Sequence, residues 1–189
     1  MEVFTTIRTK RVSAVPRSIL PRIEAVRTTR LLGVSRNVKN HIQFESAPPT
    51  KVSGFYWIYT DYSLDELEAC IPSTAKSAID IARLATLHRD LPNVCSIQQE
   101  GFRLVYNGIA GQSLGIRGRL GQHFNGGEGT GALHISKSSL KDLKRWRVSY
   151  ATICSNGTIA PDVESEYEYA NSVERIWRLQ YGWPLLCKS

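Results

Sequence analysis

Arg119 and His123 stand four residues apart in Leu114–Phe124, a segment that reads as a short helix, so their side chains share one helical face. An arginine there offers a fixed cation whose planar fork can hold two oxygens of a phosphate. A histidine beside it can donate to a phosphate oxygen or accept from a hydroxyl. Glu174, in a helical pattern near the C-terminus, is the hard oxygen ligand that Mg²⁺ prefers. Hydrolysis of a phosphodiester needs a base for water, a cation for the developing charge and a metal as Lewis acid. These residue types, brought together, fit that list. Taken singly each has an ordinary role: Arg119 and His123 on a solvated helix face, and Glu174 paired with Arg178 one turn on.

The elements that must position them are legible in outline. Gly54–Thr60 is dense in aromatic and β-branched residues and reads as a buried strand. Ser63 with Glu66 three residues later makes a capping box for a helix over Leu64–Cys70, and Thr74–Leu87 predicts a second helix. Phe102–Tyr106 reads as a strand closed by Asn107-Gly108, and Trp146–Ile153 as a third strand. Four glycines in Asn125–Gly131 mark a turn or loop, and short helical pieces are expected around Ser138–Leu143. From Glu164 to Leu179 the pattern is helical, with Ala170, Val173, Ile176 and Trp177 on one stripe. Three strands with helices on their faces predict a layered α+β domain.

Gly54-Phe55-Tyr56 and Tyr106-Asn107-Gly108 resemble the paired motifs of the GIY-YIG nuclease superfamily. Ile116-x-x-Arg119-Leu120-x-x-His123 is similar to that family's helix signature, and Asn171–Ile176 through Tyr181-Gly182-Trp183-Pro184 to its last helix and tail. The resemblance covers residues 54–60 and 102–187. It implies a small three-stranded, mostly antiparallel sheet flanked by helices, and Mg²⁺- or Mn²⁺-dependent hydrolysis of double-stranded DNA. It also implies Tyr56 as general base, Tyr106 orienting water or phosphate, Arg119 and His123 at the phosphate, and Glu174 on the metal. A tyrosine titrates near pKa ~10, so neighbouring cations would have to stabilise its phenolate. Three departures stand out: about 40 residues separate the two motif strands, the stretch from Tyr106 to Arg119 is slightly long, and Cys187 occupies the place of a tail asparagine. Either Asn171 or no residue takes the role of that asparagine. Arg117 is an alternative phosphate ligand; Glu164, Glu166 and Glu168 are weaker alternatives to Glu174.

Charge supplies the second argument. The chain has 189 residues and a formal charge of +7. Residues 1–51 hold ten basic side chains against three acidic ones, while residues 52–189 hold fourteen of each, so the whole excess is N-terminal. Such asymmetry points to a polyanion. Residues 1–50, ending in the breaker-rich Glu45–Thr50, are expected as a basic arm for DNA binding or dimerisation, and residues 51–189 as the nuclease domain with a helical insertion at about 61–101. Lys137, Lys141, Lys144 and Arg145 could extend the phosphate-binding surface. No run approaches the roughly 20 apolar residues of a membrane span. Pro16 and Pro21 interrupt an amphipathic presequence, and the four dispersed cysteines read as reduced thiols, so a cytoplasmic protein is expected. With no zinc finger or helix-turn-helix evident, a stand-alone, site-specific restriction-type endonuclease, commonly a homodimer, is the expectation. A non-catalytic nucleic-acid-binding module and an RNA-directed toxin nuclease are the alternatives.

Overall fold

The computed structural model describes residues 19–29, 31–48, 50–127, 131–152 and 166–188. Its centre is the antiparallel sheet β2 (Ile42–Phe44), β1 (Leu32–Arg36), β6 (Trp146–Thr152), β3 (Gly54–Thr60), β5 (Phe102–Ala110), β4 (Gln98–Gln99), in that spatial order. Helices α1 (Ile19–Thr28) and α5 (Glu166–Tyr181) cover one face. The other carries α2 (Leu64–Glu68), α3 (Ile81–His88) and α4 (Gly115–Asn125). The α+β class holds, but the expected three-stranded sheet does not: six strands form it. Residues 19–44, expected within a basic arm, instead supply α1, β1 and β2, and β1 pairs directly with β6. Residues 1–18, including Arg8, Lys10, Arg11 and Arg17, lie outside the described residues.

Every residue of β3 is buried, because both faces of this central strand are covered. Phe55, Trp57 and Tyr59 point towards α1 and α5, while Tyr56 and Ile58 point towards α4. Ala170, Val173 and Trp177 dock α5 onto the first group. Burying Val173 and Trp177 contributes on the order of 5 kcal/mol.

Asn107-Gly108 does not end its strand. β5 runs on to Ala110, with Gly108 opposite Tyr56 and Tyr106 opposite Ile58. A register shift then places Leu104 opposite Tyr59, leaving Val105 as the extra residue of a bulge. Val105 and Tyr106 consequently share the α4 face. Tail residue Leu186 closes on the bulge by donating its N–H to the Val105 carbonyl at 2.8 Å.

The segment between β3 and β5 is packed into the domain. The Ser63–Glu66 capping box forms as expected. The next helix starts only at Ile81, where Asp80 caps Arg83, because Ile79 donates its N–H to Ala132 and leaves 74–80 as turns and a bridge. The helical pieces expected at Ser138–Leu143 are two 3₁₀ turns, Ile135–Lys137 and Leu143–Arg145. Arg145, expected to extend a phosphate-binding surface, is bound to Asp61 and Glu66 and lies 3.7 Å over the Tyr62 ring. Among the described residues no helix is long and apolar enough to cross a membrane.

Candidate functional site

Tyr56 lies in the middle of β3 and is 1% exposed. Its hydroxyl meets His123 Nε2 at 3.0 Å. Tyr106 stacks on it at a centroid distance of 6.3 Å and 17° between planes, and lies 4.5 Å from the His123 ring. These three side chains come from β3, β5 and α4. Two glycines permit the approach. A Cβ at Gly108 would collide with the Tyr56 hydroxyl, and one at Gly54 would collide with the Ala151 carbonyl and come within 2.7 Å of Ile116 Cδ1. Gly108 is therefore a clearance for the Tyr56 ring, and the strand continues through it.

α4 delivers His123 by burying Ile116, Leu120, His123 and Phe124 against the sheet, which leaves Arg119 on the flank of that stripe. The histidine's protonation follows from its contacts. Burial, the Arg119 cation and His134 together hold its pKa well below the usual 6.5, so the ring is neutral. Leu133 donates its backbone N–H to Nδ1 at 3.3 Å, so the ring proton resides on Nε2. His123 therefore donates to the Tyr56 oxygen. Burial pushes the Tyr56 pKa up; Arg119 opposes that shift, while Glu174 and Cys187 add to it. Arg119 donates to Gln122 Oε1 and to the Gly131 carbonyl, both at 2.7 Å. These are neutral oxygens, so among the described residues its hydrogen bonds leave its charge unbalanced.

Glu174 approaches from the other side of β5. It pairs with Arg178 at 3.0 Å, both side chains 11% exposed. Arg178 also donates to Asn107 Oδ1 at 2.9 Å and lies 4.5 Å over the Trp183 ring. Burial raises the Glu174 pKa against the pull of Arg178 and Arg175. The carboxylate in turn raises the pKa of both Tyr56 and Tyr106, so the two faces are electrostatically joined. Among the described residues no three potential ligands of the His, Cys, Asp or Glu type gather. Glu174, with one oxygen taken by Arg178, is the one hard anionic ligand of the site among the described residues, and a Mg²⁺ held there would need water and substrate phosphate for the rest of its shell.

Cys187, at the expected asparagine position, is 1% exposed. Its sulfur accepts from Asn107 N–H and faces the Asn107 carbonyl, each at 3.4 Å, and burial pushes its pKa up to about 12. It is a neutral clamp tying the tail to β5. Asn171 lies on α5 one turn before Glu174 and is half-buried. Arg117 projects from α4 on the face away from Arg119 and His123. Glu168 is exposed at the start of α5; Glu164 and the Glu166 side chain lie outside the described residues.

Comparison with known protein families, with curated proteins and with solved structures gives no match. The reading of this chain therefore rests on its geometry.

Two residues escaped the sequence reading. Asn107 joins Arg178, the partner expected one turn after Glu174, as the support behind the glutamate. His134 offered no cue. It is 2% exposed, has φ 51°, and neither ring nitrogen has a hydrogen-bond partner among the described residues. A Cβ at Gly126 would sit 2.8 Å from its Nδ1.

Proposed function

We propose that the protein is a Mg²⁺- or Mn²⁺-dependent endonuclease that hydrolyses phosphodiester bonds in double-stranded DNA, with a site of the GIY-YIG kind and a restriction-type habit. The observation that carries this reading is the hydrogen bond from neutral His123 to the buried Tyr56 oxygen, beside an arginine whose partners among the described residues are neutral. In this scheme Tyr56 first loses its hydroxyl proton to solvent, and the phenolate so formed accepts a proton from the attacking water and returns to the phenol. His123 stabilises the phenolate by donating from Nε2, a bond that is stronger to the anion than to the neutral hydroxyl. Arg119 holds the phosphate oxygens, and half-buried Tyr106 orients water or phosphate at the mouth of the site. When bound at Glu174, the ion supplies Lewis-acid charge to the phosphate and cancels the carboxylate's upward push on both tyrosine pKa values.

A second reading is a nucleic-acid-binding module without catalysis. It draws on the raised pKa of Tyr56 and on the occupation of the asparagine position by a buried thiol. One assay separates the two. Supercoiled plasmid and a structured RNA are incubated with the protein and Mg²⁺, and the product ends are mapped. The nuclease reading expects discrete DNA fragments and a loss of at least ~100-fold in rate for Glu174→Ala, the scale of a lost metal-borne or general-base contribution. DNA bound but uncut favours the module, and cleavage confined to RNA favours a toxin-like enzyme. Cleavage at a palindrome would match a two-fold dimer. Sedimentation on substrate showing one protomer per site contradicts that part.

A further inference from the structure

α4 has a second functional face. Turned away from Arg119 and His123, it forms one wall of an open cleft of about 430 Å³ whose other wall includes β2. Lys51 and Arg117, both exposed, border it, with the hydroxyls of Thr50 and Ser113 beside them. Among the described residues no carboxylate lines it. On the helix side Gly121 leaves open backbone, where a Cβ would meet nothing within 4 Å, while the Leu114 side chain covers Gly118. The backbone of Lys51 is closely packed. It has φ 55°, a strained region for a lysine, and is pressed against Gly115, where an added Cβ would lie 2.7 Å from the Lys51 nitrogen. Strain maintained at a cation beside a cleft is an arrangement typical of ligand clamps.

We propose that this cleft binds the phosphodiester backbone of the DNA, as a contact track separate from the Tyr56 site and joined to it through α4. Paired cations with neighbouring hydroxyls are the donor set that phosphate and sugar oxygens take from proteins. A cleft of this volume, within the roughly 300–1,000 Å³ of ligand sites, suits a short length of backbone. Because Arg117 and Arg119 are two positions apart on one helix, a nucleic acid bound at both faces straddles α4. The identity of the ligand rests on the nuclease reading; the cleft's affinity for a polyanion does not need cleavage.

The test is fluorescence anisotropy with a labelled DNA duplex of about 20 base pairs, in EDTA so that no cleavage intervenes, titrated with the full chain at several salt concentrations. Lys51→Glu/Arg117→Glu is expected to weaken binding at least ~10-fold and to lower the magnitude of the slope of log K against log salt by about 2, one for each phosphate contact. Arg117→Glu, which leaves the strained backbone untouched, is expected to give about half of that change in slope. Lys76→Glu/Arg83→Glu, an equal charge change at exposed positions outside the cleft, is expected to do less than ~2-fold. The proposal is overturned if the Lys51/Arg117 variant binds like the parent, if the control variant loses as much, or if the parent does not bind the duplex. A parent that binds through the cleft but cuts nothing in Mg²⁺ upholds this track and overturns the nuclease reading alone.

Discussion

Tyr56 and Tyr59 are three residues apart on the same strand, both buried, on opposite faces, each with an arginine at its hydroxyl. Their surroundings differ in how the arginine's charge is balanced. Tyr59 accepts from Arg27 at 2.8 Å and shares a hydrogen bond with Ser149 at 3.1 Å. Arg27 is 4% exposed and donates to both oxygens of Glu24, which also accepts from Trp177 Nε1 at 2.6 Å. Every charge in that group is matched inside it, and it ties α1 to the sheet and to α5. The Tyr56 group has a neutral histidine and an arginine bonded to an amide oxygen and a carbonyl, and among the described residues the carboxylate that acts on it, Glu174, lies beyond β5 and is paired to Arg178. Much the same residue types make a strut on one face and a candidate site on the other. Among the described residues, charge left unbalanced is what separates them, and it is the property a phosphate would use.

The comparison breaks most sharply at the arginines. Arg119→Lys keeps the charge but loses the fork, and cleavage is expected to fall about 100-fold or more with thermal stability little changed. Arg27→Leu leaves Glu24 partly buried without its cation, and an expected loss of about 3 kcal/mol should appear in urea unfolding. Equal stability losses from both substitutions would erase the distinction. Gly108→Ala comes next. Its methyl group would displace the Tyr56 hydroxyl, so about 1–3 kcal/mol of stability and most of the cleavage rate are expected to go together.

The smallest effect is in pH. His123 has a folded-state pKa well below its ordinary 6.5, so below pH 6.5 the unfolded chain binds a proton that the native chain excludes. Stability should therefore fall as pH drops through 6.5 and keep falling until the folded pKa is reached. His123→Gln should flatten that part of the pH–stability curve, as measured by urea unfolding at pH 5 to 8. An unchanged slope would mean that His123 is not held neutral by burial.

Legibility in the sequence followed the strength of local signals. β3 announced itself by six consecutive strand formers after Gly54, α2 by its capping box, and α5 by an apolar stripe. β1 and β2 did not, because five- and three-residue strands among Arg36, Asn37, Lys39 and Asn40 carry little periodicity and are held by pairing with β6 and each other. Asn107-Gly108 imitated a turn, since a glycine needed for clearance looks like one needed for positive φ. Arg27 counted as a free cation in the charge sum, while the fold buries it against Glu24. Of the site, Tyr56, Tyr106, Arg119 and His123 were named from motif order, and the structure places them together. That Cys187 clamps Asn107 depends on the tail crossing β5, a long-range contact that no local pattern encodes.

The central claim is that Tyr56 acts and Tyr59 only supports. Single-turnover cleavage of plasmid DNA in Mg²⁺, comparing Tyr56→Phe with Tyr59→Phe, tests it directly, with unfolding measured on both proteins. Each substitution removes one buried hydroxyl and is expected to cost about 1–3 kcal/mol of stability. The account predicts a rate loss of about 10²–10⁴ for Tyr56→Phe and less than about threefold for Tyr59→Phe. Tyr56→Phe cutting at the parent rate, or both variants losing activity equally, would contradict it.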